Sequence, residues 1–133
     1  MQYLLDTNIC VFFFRNKYGI ADVLRTKGVE NCSVSEITVA ELRYGAENSS
    51  NPQKQHQLLD TFLQRIAVIP ITDSIRTYAV EKARLKKAGT PIHDEFDLLI
   101  GASAMHYGLT LVTDNMKDFK HLAGIKVENW IKR

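Results

Sequence analysis

Short apolar runs alternate along the chain with longer segments in which apolar residues recur at helical spacing. A short apolar run bounded by polar or turn residues is typical of a buried strand in a parallel sheet. The pattern predicts five strands, at Tyr3–Leu5, 31–34, 67–71, 109–112 and 125–127.

The intervals between these runs have helical spacing and helix-boundary residues. Ser35 and Asp94 occupy positions where a side chain can cap a helix N-terminus, and Gly89 and Gly108 stand where helices commonly end. The polar stretch 48–52 is the clearest loop. The pattern predicts helices at 8–15, Ile20–Lys27, 36–47, 53–65, 72–88, 94–107 and 116–122.

Strands that alternate with helices predict an α/β fold with a mostly parallel sheet of four or five strands, flanked by helices. The length of 133 residues fits a single domain, 1–133, and allows a core of ordinary size. Hydrophobic residues make up 45% of the chain and charged residues 24%, which excludes intrinsic disorder and fibrous repeats.

Three features bear on location and redox state. The longest apolar run, residues 9–14, is far too short to span a membrane, and the first residues lack the basic start of a secretory signal. We therefore expect a cytoplasmic protein without membrane contacts. Cys10 and Cys32 lie in apolar stretches without metal-like spacing, which predicts two buried free thiols.

Acidic residues follow two of the predicted strands. Asp6 comes directly after the first strand and Asp114 after the fourth. Either one alone is readily explained as a helix cap. Because the carboxyl ends of parallel strands lie at the same edge of a sheet, where ligands bind in such folds, two of them favour a shared site.

Two further acids lie near helix starts. Asp97 is in the first turn of its helix, three residues after Asp94, so this pair could be a cap favoured by the helix dipole. Glu41 lies on the third predicted helix, where the spacing of Ile37, Ala40 and Tyr44 predicts the buried face. We expect Glu41 at the edge of that face, where an unpaired carboxylate is costly; the alternative is a solvated surface acid.

Carboxylates that converge on one cleft repel one another unless a cation neutralises them. Oxygen ligands without His or Cys favour Mg²⁺, with Mn²⁺ as a second choice. Without Asp6, Glu41, Asp97 and Asp114, seventeen basic residues would face eleven acidic ones, which suits a polyanionic substrate. A metal that activates water and screens phosphate is the chemistry of a nuclease.

Four blocks carry a resemblance that covers nearly the whole chain: 4–8 (LLDTN), 35–45 (SEITVAELRYG), 91–104 (PIHDEFDLLIGASA) and 108–119 (GLTLVTDNMKDF). In this order they resemble PIN-domain ribonucleases of the VapC toxin type. The resemblance implies a PIN-like three-layer fold and a Mg²⁺-dependent endoribonuclease that cuts tRNA or another structured RNA and so inhibits translation. It also implies a VapB-type antitoxin as partner, homodimers and hetero-oligomers, and DNA contact only through the antitoxin.

Transferred residue by residue, the resemblance makes Asp6 and Asp97 metal ligands, Glu41 the acid of the second block, and Asn8 and Thr113 polar neighbours. The fourth block departs from the family pattern, which has its acid or Asn two residues after the Thr, where this chain has Asn115. Asp114, Asn115 and Asp118 are therefore alternatives for the last position, and we choose Asp114. Asp94 is either a supporting group behind the ligands or only a cap.

Two other functions fit parts of the pattern. A receiver-like signalling domain also binds Mg²⁺ at strand ends, and Asp73 could imitate its phosphoacceptor. This chain lacks, however, the paired acids after the first strand and the Lys after the last site-forming strand that a receiver domain requires. A non-catalytic RNA-binding module is disfavoured because acids in a cleft repel phosphate in the absence of metal.

Two surfaces are candidates for partners. Lys82, Arg84, Lys86 and Lys87 crowd one stretch of helix before the loop that leads to Asp97, and they are either RNA contacts or an ordinary solvated face. The apolar run 9–14 would spread over most of a helix circumference. Phe12 or Phe13 should therefore form a partner surface, unless the helices between residues 53 and 88 cover it.

Overall fold

The computed structural model describes residues 1–133, in which a five-stranded parallel sheet is flanked by seven α-helices. The strand order is β3-β2-β1-β4-β5, and every neighbouring pair is parallel. The predicted α/β class and sheet are confirmed. The strands are β1 Tyr3–Leu5, β2 Cys32–Ser35, β3 Ala67–Ile69, β4 Thr110–Val112 and β5 Lys126–Glu128.

The helices lie close to their predicted positions, and the expected caps are present. The side chain of Ser35 accepts a hydrogen bond from the backbone N–H of Ile37, and Gly89 and Gly108 end their helices in the left-handed conformation. The helices are α1 Thr7–Phe14, α2 Ile20–Lys27, α3 Glu36–Glu47, α4 Pro52–Leu63, α5 Ile75–Ala88, α6 Glu95–Tyr107 and α7 Met116–Phe119.

Several predicted elements are longer than the observed ones. Asn31, predicted in β2, ends the 3-10 helix Val29–Asn31, and residues Thr72–Ser74 form a second 3-10 helix before α5. The strand predicted at 67–71 ends at Ile69, and its Ala67 and Val68 are exposed. The prediction of a buried strand was wrong there, because β3 lies at an edge of the sheet and pairs only with β2.

The core has two halves, one on each face of the sheet. Because side chains alternate along a strand, Tyr3 and Leu5 pack with α1, α2 and α4, whereas Leu4 packs with α5 and α6 on the other face. This gives the expected three layers. Cys10 and Cys32 are buried free thiols, as predicted. None of the helices combines the length and apolar character that crossing a bilayer requires.

Helix α3 is rotated relative to the sequence prediction. Ala40 is exposed and Tyr44 is 72% exposed, whereas Thr38 and Ala46 are buried. The predicted buried face was therefore wrong. The face that meets the core instead carries Val39, Leu42 and Ala46, a second apolar stripe at helical spacing. The hydroxyl groups of Thr38 and Thr7 also lie 2.9 Å apart.

Candidate active site

Asp6 lies at the carboxyl end of the central strand β1, and two neighbours fix its orientation. The Thr113 hydroxyl, directly after β4, donates to Asp6 Oδ2 at 2.7 Å, and the Thr7 backbone N–H donates to Oδ1 at 2.8 Å. Because β1 and β4 are parallel neighbours, Asp6 and Thr113 end at the same edge of the sheet. Asp6 is only 4% exposed, so its carboxylate is held in one place.

The same threonine shapes the turn after β4. The Thr113 hydroxyl oxygen accepts a hydrogen bond of 3.1 Å from the backbone N–H of Asn115. A single buried hydroxyl therefore ties Asp6 to the turn that carries Asn115.

Glu41 is joined to α1 through Thr7. The Thr7 hydroxyl donates to Glu41 Oε1 at 2.7 Å. Since a hydroxyl has only one proton, the Thr38 hydroxyl must donate to the Thr7 oxygen rather than accept from it. The relay Thr38–Thr7–Glu41 holds this carboxylate at the mouth of the site instead of leaving it as a solvated surface acid.

Helix α6 brings in two more acids. The Asp94 carboxylate accepts hydrogen bonds from the backbone N–H groups of Phe96 and Asp97, at 2.9 and 3.1 Å, so Asp94 is the helix N-cap. Asp97 follows in the first turn. Asp94 therefore serves as the cap and also contributes its charge to the cleft.

These side chains line a cavity of about 430 Å³, which we call the acidic cleft. It contains four carboxylates and no basic side chain. Its lining residues are Asp6, Thr7, Asn8, Val11, Phe12, Glu41, Asp94, Asp97 and Asn115.

The carboxylates of the acidic cleft are poorly stabilised as anions. Burial, followed by repulsion from Asp6, Asp94 and Glu41, raises the pKa of Asp97 to about 7. Burial also raises the pKa of Asp6 and of Glu41, although hydrogen bonds from threonines act in the opposite direction. Near neutral pH the cleft therefore favours a bound proton or a cation.

The donor set fits a hard divalent ion. Asn8 lines the acidic cleft, and its Oδ1 is buried without a hydrogen-bond partner, which makes this oxygen a candidate ligand. No group of three or more His, Cys, Asp or Glu side chains is arranged so that it could hold a metal ion by itself. Mg²⁺ typically uses one or two carboxylates and keeps several waters, so an open oxygen-only site suits it better than zinc.

Asp114 does not join the acidic group. The Arg133 guanidinium donates to both of its carboxylate oxygens, at 2.8 and 2.6 Å, and Asn129 adds a third hydrogen bond. Arg133 holds the pKa of Asp114 below its ordinary value. The choice of Asp114 over its neighbours therefore has no support from the geometry, because Arg133 neutralises it outside the cleft.

The other two alternatives of the fourth block lie close to the acids. Asn115 lines the acidic cleft, and Asp118 lines the adjoining cavity together with Asp97. The charge of Asp118 contributes to the raised pKa of both Asp6 and Asp97.

The four candidate RNA-binding residues of α5, which are Lys82, Arg84, Lys86 and Lys87, divide into two pairs. Lys82 donates to Glu95 and Tyr78. Arg84 is bound bidentately by Glu81, at 2.9 and 2.8 Å, and also donates to the His121 carbonyl. Lys82 and Arg84 thus have protein partners, which weakens their predicted role in RNA binding. Lys86 and Lys87 remain exposed in the last turn of α5.

The aromatic run of α1 is only partly covered. Phe13 and Phe14 pack on Phe62 of α4, with ring centroids 5.2 Å apart in both pairs, and Phe12 packs edge-on against Tyr18. None of the three phenylalanines of α1 is fully exposed. A fully exposed patch of Phe12 or Phe13 is therefore absent, because Phe62 of α4 covers Phe13 and Tyr18 packs on Phe12. Phe14 instead lines a groove of about 360 Å³, which we call the apolar groove. It is lined by Thr7, Val11, Phe14, Arg15, Glu41, Leu42, Gly45, Ala46, Ser49, Gln55 and Leu59.

Sequence reasoning missed three residues of this region. Thr7 and Thr38 orient Glu41, and the Arg133 guanidinium binds the Asp114 carboxylate. Thr38 lies three residues before Glu41 and therefore on the same side of the helix. This spacing could have indicated the contact of Thr7 and Thr38 with Glu41. Nothing in the sequence connects Arg133 with a residue nineteen positions earlier.

Comparison with known proteins places this geometry in a family. The PIN domain family matches residues 3–125. The chain is 31% identical over 131 residues to a tRNA(fMet)-specific endonuclease VapC from Shigella flexneri, covering 98% of both chains. It is 34% identical over 133 residues to ribonuclease VapC2 from Haemophilus influenzae, covering 98% of this chain and 99% of the relative.

Two solved complexes share the fold. In the crystal structure of DNA-bound VapBC from Salmonella typhimurium, the matching chain superposes with a TM-score of 0.90 at 32% identity, with 98% of each chain covered. In VapBC2 from Rickettsia felis, bound to a DNA fragment from its promoter, the TM-score is 0.88 at 33% identity, with 98% of this chain and 99% of the other covered.

These matches also decide between the alternatives. Receiver domains have the strand order 2-1-3-4-5, whereas this sheet runs β3-β2-β1-β4-β5, so the receiver interpretation was wrong. The non-catalytic module was also wrong, because the relatives are named as endonucleases and ribonucleases. The chain belongs to the PIN domain family, as one of its VapC ribonucleases.

Proposed function

We propose that this chain is a Mg²⁺-dependent endoribonuclease that cuts tRNA and that a VapB-type antitoxin inhibits it. The proposal depends most on the acidic cleft, which Asp6 and Asp97 both line together with no basic residue. A cleft of this charge repels RNA unless a cation is bound, so its composition favours metal-assisted hydrolysis.

In this proposal Asp6 and Asp97 hold the ion directly, and Asn8, Glu41 and Asn115 face it from the walls of the cleft. The bound ion would supply positive charge to the scissile phosphate and make water a better nucleophile. Thr113 keeps Asp6 in one orientation, and Thr7 occupies one oxygen of Glu41. Such outer contacts orient ligands and strengthen metal binding.

The substrate class rests on the relatives. The proteins from Shigella flexneri and Salmonella typhimurium are named for cleavage of tRNA(fMet). We extend tRNA to this chain as a proposal, with arrest of translation as the consequence and the cytoplasm as the place of action.

A cleavage assay tests this function. The purified full chain is incubated with end-labelled initiator tRNA, an elongator tRNA, or an unstructured RNA of similar length. We expect discrete cuts in a tRNA with Mg²⁺ or Mn²⁺, none with excess EDTA, and recovery when Mg²⁺ is restored. Equal cleavage with EDTA would contradict the metal mechanism, and preference for the unstructured RNA would contradict the substrate class.

A paired substitution tests which acid of the fourth block serves the site. We expect Asp118→Asn to lower kcat/KM about tenfold or more, because its charge reaches the acidic cleft, and Asp114→Asn to change it less than threefold. The reverse order in a tRNA cleavage assay would restore Asp114 to the site.

We propose the apolar groove as the docking surface for the antitoxin. The groove shares Thr7, Val11 and Glu41 with the acidic cleft, so a segment bound there would adjoin the active site. The solved VapBC complexes support a protein partner of this kind. Contact with DNA would then be indirect, through the antitoxin. The homodimer and the hetero-oligomer with antitoxin are further proposals, which light scattering of the free chain and of the complex would test.

Two substitutions in the groove should weaken this complex. Phe14→Ser removes a half-buried aromatic contact and should weaken antitoxin binding about tenfold or more. Arg15→Glu reverses an exposed charge at the same groove, without affecting the core. Lys17→Glu, outside the groove, is the matched control. Calorimetric titration with the antitoxin measures the affinities, and equal values for Arg15→Glu, Phe14→Ser and Lys17→Glu would refute this docking surface.

A further inference from the structure

The acidic cleft has one apolar wall. Val11 and Phe12, both on α1, are its two hydrophobic lining residues. The other lining side chains are four carboxylates, the amides of Asn8 and Asn115, and the Thr7 hydroxyl. Because no basic side chain lines the cleft, the protein offers an RNA strand no cation of its own there. A favourable contact between this wall and RNA must therefore be made to an uncharged part of the strand.

A nucleotide has a charged part and an uncharged part. The phosphate carries the charge, and in the proposed function the ion held by Asp6 and Asp97 neutralises it. The base is uncharged and presents a flat π surface, which stacks on aromatic side chains. Phe12 is the only aromatic residue that lines the acidic cleft. A base that enters the cleft therefore has one ring on which to stack.

Phe12 is placed so that a base next to the ion can reach it. Asn8 and Phe12 are four residues apart on α1, so their side chains lie on the same face, about 5.4 Å apart along the helix axis. Both line the acidic cleft, and the Phe12 side chain is only half-buried. Phe13 and Phe14, in contrast, pack on Phe62 and do not line this cleft.

The Phe12 ring is supported from outside the cleft. It packs edge-on against Tyr18, with the ring centroids 4.9 Å apart and the ring planes at 87°. Asn16 and Tyr18 have φ angles of 54° and 58°, in the left-handed region that bulky residues rarely adopt. The Arg133 guanidinium lies 5.2 Å from the centroid of the Tyr18 ring. The Phe12 ring thus has a supporting neighbour, but it is not stacked face to face on Tyr18.

We infer that Phe12 is the stacking platform for an unpaired base of the RNA, in a nucleotide that flanks the scissile bond. The inference rests on the proposed function. Stacking requires a base that is free of its partner strand, so a single-stranded loop of a structured RNA would bind here in preference to a paired stem. Every base has a π surface, so the contact would position the strand without reading its sequence.

Two substitutions of Phe12 separate stacking from simple apolar packing. Phe12→Leu keeps an apolar side chain and removes the π surface, whereas Phe12→Tyr keeps the ring. We expect KM for tRNA to rise about fivefold or more in Phe12→Leu, with kcat changed less than twofold, and to stay within about twofold in Phe12→Tyr. Phe96→Leu is the matched control. Phe96 is 46% exposed beside Asp97 but does not line the acidic cleft, so this variant should keep the wild-type KM.

An abasic RNA tests the same contact without changing the protein. After the cut is mapped, an abasic nucleotide replaces in turn each of the two nucleotides that flank the scissile bond. At one of these positions the wild-type KM should rise about fivefold or more. Phe12→Leu should then raise KM less than twofold further on that RNA, because the base and the ring are two halves of one contact. If Phe12→Leu raises KM as much on the abasic RNAs as on the intact RNA, the inference is wrong.

Two further results would overturn the inference. One is the same KM for the wild type and Phe12→Leu. The other is weaker antitoxin binding by Phe12→Leu with an unchanged KM for tRNA, which would assign Phe12 to the antitoxin surface.

A wild-type chain that does not cut tRNA would contradict the proposed function and leave the stacking contact open to a binding measurement. Fluorescence anisotropy of labelled tRNA with Mg²⁺ supplies it. Weaker binding by Phe12→Leu than by Phe12→Tyr and the wild type would support the stacking platform, and equal affinities would refute it.

Discussion

Replacing Asp97 with alanine should lower tRNA cleavage at least about 1000-fold, which corresponds to the several kcal/mol that a metal site contributes to a transition state. Asp97 is one of the two proposed direct ligands, and the open site offers no carboxylate cage to replace it. The measurement is kcat/KM at saturating Mg²⁺. Asp73→Ala, an exposed acid outside the acidic cleft, is the control and should keep wild-type activity.

Replacing the Asp97 carboxylate should not unfold the protein. In the metal-free chain the pKa of Asp97 is about 7, above its ordinary 3.8. The neutral carboxyl of Asp97 therefore stabilises the folded state. This contribution is complete below about pH 4 and is lost as the pH rises through about 7. At pH 8 we expect Asp97→Asn to be about 1–2 kcal/mol more stable than the metal-free wild type, a value lowered for partial solvent exposure.

Denaturant unfolding in EDTA at pH 8 and pH 4 measures this difference. The advantage of Asp97→Asn should shrink toward zero at pH 4, and Mg²⁺ at pH 8 should stabilise the wild type more than the variant. A variant that is less stable than the wild type at both pH values would mean that Asp97 has a structural role in the fold.

Replacing Thr113 with valine should reduce kcat/KM about tenfold to 100-fold and weaken metal binding similarly, the usual effect of losing an outer contact to a ligand. The valine removes the hydrogen bond to Asp6 Oδ2 and also the acceptor for the Asn115 backbone N–H. Both the ligand and the turn beside it lose their orientation.

Thr113→Ser keeps the hydroxyl and is the control. We expect it to retain activity within about threefold of the wild type, because the two hydrogen bonds can still form. Cleavage rates and Mg²⁺ dependence would be measured for both variants. Wild-type activity in Thr113→Val would contradict a role for the two hydrogen bonds, and a loss confined to Thr113→Ser would assign the effect to packing of the Thr113 methyl group.

Much of the fold could be predicted because its signals are local. The strand β1 is a short apolar run that ends at Asp6, and α6 begins at its Asp94 cap and ends at Gly108. Parallel pairing of β1 and β4 then follows from the alternation of strands and helices. Edge position is not a local property, which is why β3 was expected to be buried.

The site could be predicted only as far as local rules reach. Asp6 and Asp97 were placed by strand ends and helix starts. Asp114 follows a strand just as Asp6 does, but the nearby Arg133 gives it a different environment. Helix α3 carries two candidate apolar stripes, and periodicity alone does not choose between Ile37, Ala40 and Tyr44 and the stripe of Val39, Leu42 and Ala46 that meets the core.

The acidic cleft should bind a divalent ion through Asp6 and Asp97. Titration of the purified chain with Mn²⁺, followed by electron paramagnetic resonance of the free ion, tests it directly. We expect Mn²⁺ binding that Mg²⁺ competes away, that is lost in Asp97→Ala and that is retained in Asp114→Asn. Equal Mn²⁺ binding by the wild type and Asp97→Ala would contradict it.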